Sequence, residues 1–82
     1  MNRNEACEKI LEILSEVLEE KKECPSTYDE DISERLDSIE FVMLIVEIEN
    51  GFDIKVLDDD FEIENVNTIN KLADLVFKYK EN

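Results

Sequence analysis

The sequence predicts an all-α fold: a small four-helix bundle of three main helices and one short helix, with a long loop between helices one and two. Three observations carry that expectation. Apolar residues recur at three- and four-residue spacing in three separate stretches, and capping side chains stand at the head of each. The one alternating stretch, Phe52 to Val56, has no second strand candidate to pair with. At 82 residues the chain is expected to be a single domain over 1–82, a size that buries only about 60% of the surface its unfolded chain exposes. Its 43% hydrophobic and 39% charged residues suffice for a modest core and are too apolar for a disordered chain.

The first helix is expected from about Glu5 to Lys22. Ala6, Cys7, Ile10, Ile13, Leu14, Val17 and Leu18 form its apolar side, and Asn2 or Asn4 caps it. Lys21 and Lys22 suit its last turn, and Pro25 ends it. From Glu23 to Leu36 no period is sustained. Tyr28, Ile32 and Leu36 read as anchors of a long loop, which one helical turn around Ile32 to Leu36 would shorten.

The second helix has the clearest start. Asp37 is a good N-cap, Glu40 completes a capping box, and Leu36 and Phe41 occupy the two positions of a hydrophobic staple. It should begin at Ser38 and run to about Asn50, where Gly51 supplies the terminating conformation. Phe52, Ile54 and Val56 then read as an extended connector. Asp58 can cap a short helix through Asp59, Asp60, Phe61 and Ile63. The last helix, capped by Asn67 or Thr68, carries Ile69, Leu72, Ala73 and Val76 on one stripe and ends near Tyr79.

At roughly 100° per residue the second helix shows two apolar stripes rather than one. Phe41, Leu44, Ile45 and Ile48 share one side and continue to Phe52, so they are assigned to the core. Ile39, Val42, Met43 and Val46 gather on the other side, with Glu40, Glu47 and Glu49 in the seams. So small a domain can scarcely bury both, and the second stripe is expected to be an exposed interaction surface. Burial of both stripes between the first loop and the last helix is the alternative.

Charge narrows the partners. The net charge is -14, and between Asp29 and Glu64 stand 14 acidic residues against Arg35 and Lys55. Such a field repels nucleic acid and anionic membrane and favours partners with basic patches; solubility alone is the plainer explanation. Histidine is absent and Cys7 and Cys24 form no metal-binding pattern, so no metal site is expected. Cys7 reads as a small buried hydrophobe and Cys24 as a loop residue. With no signal peptide or transmembrane run, the expected compartment is cytoplasmic, with both thiols reduced. Asp58-Asp59-Asp60 lacks the pattern of a calcium loop and reads as a solvated helix start.

Ser38 has no base nearby in the sequence, so catalysis by this serine is poorly supported and no enzyme is expected. A serine in the first turn of a helix is, however, well placed to carry a phosphate, because the free amides and the positive dipole end stabilise an anion. Asp-Ser-x-Glu could also be only a well-made helix start. That reading leaves the acidic surround and the second stripe unexplained.

Asp37-Ser38-Ile39, the apolar helix that follows, and Glu49-Asn50-Gly51-Phe52-Asp53-Ile54-Lys55-Val56 resemble the acyl carrier protein family of phosphopantetheine-binding domains. The resemblance covers essentially the whole chain. It implies a 4'-phosphopantetheine arm on Ser38, transferred from coenzyme A by a phosphopantetheinyl transferase, with Asp37 as motif residue and cap. The arm's thiol would hold acyl intermediates as thioesters for fatty acid or polyketide type biosynthesis. Ile39, Val42, Val46 and the adjoining Met43 would dock on acyl- or aminoacyl-loading and condensing enzymes, with Glu40, Glu47 and Glu49 meeting basic surfaces. Arg35 stands where many members have glycine, and Met43 where fatty-acid carriers are often polar.

The Ile48 to Val56 run is also similar to carriers of D-alanine for cell-wall polymers, so a free-standing peptidyl or aminoacyl carrier is the alternative. An acidic adaptor without a prosthetic group is the alternative of another class. No nucleic acid or membrane insertion is expected, and the protein is expected to be a monomer.

Overall fold

The computed structural model describes residues 2–18, 24–57 and 62–80. Three α-helices organise them: α1 (Arg3–Leu18), α2 (Ser38–Phe52) and α3 (Ile69–Lys80). Single 3-10 turns at Ser33–Arg35 and Ile63–Asn65 precede α2 and α3, and no strand occurs among the described residues. Residues 54–57 carry no regular structure, as an extended connector requires.

Local chemistry chooses among the expected caps. Asn2 heads α1: its side-chain Oδ1 accepts the Glu5 N–H at 2.8 Å. Thr68, not Asn67, heads α3, with Oγ1 accepting the Lys71 N–H at 3.0 Å and its carbonyl accepting the Leu72 N–H at 3.0 Å. The last expected turn of the first helix, Glu19 to Lys22, lies outside the described residues, as do Asp58 to Phe61 of the expected short helix. Of that short helix Ile63 is described, and it opens a 3-10 turn.

Gly51 does not end α2. The helix continues through Phe52, and Asp53 takes the left-handed conformation, with φ 55 and ψ 51. Both the Asp53 and Ile54 N–H groups donate to the Glu49 carbonyl, which closes the helix in a Schellman-like turn. Gly51 serves close packing instead. A Cβ there would stand 3.1 Å from Ile13 Cδ1 and 3.5 Å from Lys9 Cε. Lys9 uses the approach: its ammonium donates to the Gly51 carbonyl and lies 4.9 Å from the centre of the Phe52 ring. A cation at that end complements the helix dipole.

Asp53→Gly is expected to stabilise the domain by about 0.5 kcal/mol. It relieves the left-handed penalty, on the order of 1 kcal/mol, at some cost in unfolded-chain entropy. Urea denaturation followed by circular dichroism reads the shift in midpoint.

The core forms where the helices meet. α1 packs on both α2 and α3, and Ala6, Cys7, Ile10, Leu14, Val17 and Leu18 are buried along it. Leu44, Ile45, Ile48 and Phe52 of α2, and Ile69, Leu72, Ala73, Leu75 and Val76 of α3, complete it. Cys7 is buried and Cys24 exposed, both as free thiols. Burial pushes the Cys7 thiol up from its ordinary pKa. No helix among the described residues is long and apolar enough to cross a membrane.

The segment before α2 is tied to the head of α3. Ile32 N–H donates to the Asn67 carbonyl at 2.8 Å, and Asn70 N–H to the Tyr28 carbonyl at 3.0 Å. The Asn70 and Asn67 side-chain amides donate to Asp29 and Asp31. Asp31 also accepts from the Ser33 hydroxyl and backbone, which together hold its carboxyl below the usual range. Arg35 fits inside the 3-10 turn without a left-handed backbone. Its guanidinium pairs with Glu30 and donates to the Asp31 carbonyl. The Glu30 carboxyl is likewise held low, first by Ser26 and less by Arg35.

Candidate functional site

The candidate site is the head of α2, and its geometry begins with Asp37. With φ -81 and ψ 177 the residue is extended, and its Oδ1 accepts the Glu40 N–H at 2.7 Å. Glu40 returns the bond, its Oε1 accepting the Asp37 N–H at 3.1 Å. The Asp37 carbonyl accepts the Phe41 N–H at 2.9 Å. This completes the capping box read from the sequence. It also turns the Glu40 carboxylate back onto the backbone of its own helix start.

Ser38 is thereby fixed as the first residue of α2, and its side chain is exposed. Helix amides in the first turn have no carbonyl four residues back to bond, so they and the dipole favour an anion on this serine. Two cavities open beside it, and Ser38 and Phe41 line both. One, of about 310 Å³, is lined by Leu36, Asp37, Ser38, Phe41 and Ile63. The other, also about 310 Å³, runs down α2 past Ser38, Phe41, Val42, Ile45, Val46 and Glu49. Phe41 was assigned to the core; the structure leaves it half-buried between the two cavities, while Leu44, Ile45 and Ile48 are buried as expected.

The second apolar stripe is outside. Ile39 is 71% exposed, Val42 59%, Met43 49% and Val46 43%. Ile39, Val42 and Val46 step along α2 from the serine, and Met43 adjoins them. Four large apolar side chains on one helix face, bordered by acid, thus lie outside the core, as the alternative of two buried stripes does not allow.

The three carboxylates of the seams have separate fates. Glu47 is exposed. Glu40 is part of the cap. Glu49 is half-buried, with Oε2 accepting the Val56 N–H at 2.8 Å, so it holds the connector against α2.

Sequence reasoning missed Leu57. It is 64% exposed, its N–H donating to the Tyr79 hydroxyl at 3.1 Å. Its place after the Phe52, Ile54, Val56 alternation was the available signal, since an alternating connector turns its odd residues outward.

The site can present one hydroxyl, at the positive end of a helix, between two cavities and at the margin of an exposed apolar stripe. Ser38, Asp37 and the first-turn amides fit a phosphodiester there. No histidine exists in the chain to act as base.

The family model described as "Phosphopantetheine attachment site" matches residues 8–76. A D-alanyl carrier protein of Streptococcus sanguinis is 39% identical over 67 residues, which are 79% of this chain and 82% of that protein. One from Streptococcus uberis is 48% identical over 48 residues, 56% of this chain and 61% of that protein. One from Lactococcus lactis is 44% identical over 46 residues, 56% of this chain and 58% of that protein. No solved structure matches the chain.

Proposed function

The chain belongs to the phosphopantetheine attachment site family and is a carrier protein with covalently bound 4'-phosphopantetheine; from that premise we propose that Ser38 is the attachment residue and that the cargo is an aminoacyl group, D-alanyl first among the candidates. The single observation that carries the cargo is the similarity to D-alanyl carrier proteins, one of which aligns over 82% of its length. It favours the aminoacyl reading over the fatty acid or polyketide reading.

The chemistry divides between this chain and its partners. Ser38 supplies the oxygen that forms the new P–O bond. Its proton leaves to a base on the phosphopantetheinyl transferase, and 3',5'-adenosine bisphosphate departs from coenzyme A. Asp37 and Glu40 hold the helix start rigid, so the hydroxyl is presented in one orientation, and the first-turn amides stabilise the phosphodiester charge. The bound arm supplies a thiol that holds the cargo as a thioester. The protein itself acts as a carrier rather than a catalyst.

Ile39, Val42, Met43 and Val46 form the docking face for the transferase and the loading enzyme, and Glu47 is its free acidic margin. Glu40 and Glu49 contribute field there while their carboxylates serve the cap and the connector. Val42→Asp or Val46→Asp is expected to weaken transferase binding about tenfold, by loss of an apolar anchor. Both positions are exposed, so the helical circular dichroism signal stays unchanged. Titration of the variants against the transferase reads the first effect, and a thermal melt the second.

Intact mass spectrometry of the protein from its native host, with the thioester preserved, tests the cargo. The expected mass is that of the chain plus one arm plus one alanyl group. A fatty acyl or polyketide increment in its place would overturn the aminoacyl reading.

A further inference from the structure

The groove along α2 has chemically different ends. Ser38 stands at one end and Glu49 at the other, and the four residues between them, Phe41, Val42, Ile45 and Val46, offer hydrocarbon walls. The ends are eleven residues apart on the helix, about 16 Å at 1.5 Å per residue. That span is comparable with the reach of an extended pantetheine arm. Glu49 is held at the far end because Oε2 already accepts the Val56 N–H. Its second oxygen, Oε1, can accept from another donor.

Resting on the aminoacyl carrier reading, we propose that the groove seats the carrier's own loaded arm and that Glu49 is a specificity-determining residue, pairing with the free ammonium of the aminoacyl cargo. Three features support this occupant over others. The groove is continuous with the attachment serine, so the arm reaches it without leaving its tether. Its length suits the arm. Its far end carries Glu49, the one charge among the described lining residues, which complements an aminoacyl group and is wasted on a plain acyl group. A methyl end brought against Glu49 would strip water from a carboxylate and return no bond, whereas an ammonium returns a charge-assisted hydrogen bond.

Two consequences concern the thioester. The apolar walls of Val42 and Val46 shield it from water while the arm is seated. The ion pair also holds the cargo amine in its charged form, which has no lone pair with which to attack a thioester. Val42 and Val46 belong to the docking face as well, so a seated arm and a docked partner exclude one another.

The experiment compares D-alanyl and propionyl cargo, which differ at the amino group. Full-length labelled protein is charged by a phosphopantetheinyl transferase with D-alanyl- or propionyl-coenzyme A, and intact mass confirms each product. NMR then measures nuclear Overhauser contacts from the arm to the Val42 and Val46 methyl groups. Thioester half-life is followed by mass in parallel. The D-alanyl form is expected to show the contacts and the propionyl form to lose most of them.

Glu49→Gln keeps an acceptor for Val56 N–H, so an unmoved Val56 amide signal certifies the connector. In that variant the D-alanyl contacts should weaken and the half-life shorten about threefold, the scale of a partly exposed ion pair. Correct masses with no contacts to Val42 and Val46 would overturn the seating. Equal seating of propionyl, or an unchanged Glu49→Gln variant, would overturn the ammonium pairing. Failure to gain the arm at all would instead refute the carrier reading beneath both.

Discussion

Ser38→Ala is expected to abolish attachment of the arm outright and to leave the fold intact. With a transferase and coenzyme A, the wild-type chain should gain one phosphopantetheine by intact mass and the variant none. The loss is total because the hydroxyl oxygen is itself an atom of the new bond. Stability should hardly move: the side chain is exposed, and the helix start is capped by Asp37 and Glu40 rather than by Ser38. Alanine also costs a helix nothing in propensity. A variant that still gains the arm would place the attachment elsewhere, and a variant that fails to melt cooperatively would give Ser38 a structural role the geometry denies it.

Ile48→Asp is expected to unfold the domain. Ile48 is fully buried in the α2 core stripe, among residues of similar burial on α1 and α3. Loss of the side chain alone costs about 2–5 kcal/mol, and the buried carboxylate finds no cation among its apolar neighbours, which adds desolvation. Domains of this size hold on the order of 5 kcal/mol in total. Thermal melts by circular dichroism should lose their cooperative transition, while Val42→Asp, six residues earlier on the opposite stripe, keeps it. That contrast measures which face of α2 is inside.

Much of this was legible because the signals were local. The capping box needs four residues, Asp37 to Glu40, and it formed as read. The stripe division of α2 needs only helical spacing and a limit on how much a short chain can bury, and the exposure of Ile39, Val42, Met43 and Val46 follows it. What failed depended on distant partners. Gly51 reads as a stop, yet its missing side chain makes room for Ile13 and Lys9, some forty residues away in sequence. Phe41 counts as core by its position in the period, but a cavity on either side leaves it half-buried. Glu40 and Glu49 look like surface charge until their backbone partners at Asp37 and Val56 are known. The cargo was ambiguous for another reason: attachment chemistry is common to all carriers of this kind, and the D-alanyl reading rests on similarity, of the Ile48 to Val56 run and then over 67 residues, rather than on the attachment motif.

The packing of α1 against both other helices has a mechanical consequence. α1 acts as a spine, with α2 and α3 hung from it like two leaves. A partner that pulls on an arm at Ser38 loads α2 along its length, and the load passes into the spine through the α1–α2 packing and the Lys9 tie to Gly51 and Phe52. The leaf formed by α3 takes its share at its head, where the segment that leads into α2 is tied to it. It holds the Tyr28–Ile32 segment through the backbone bonds at Asn67 and Asn70, so a pull at Ser38 is divided between both leaves and the spine that joins them.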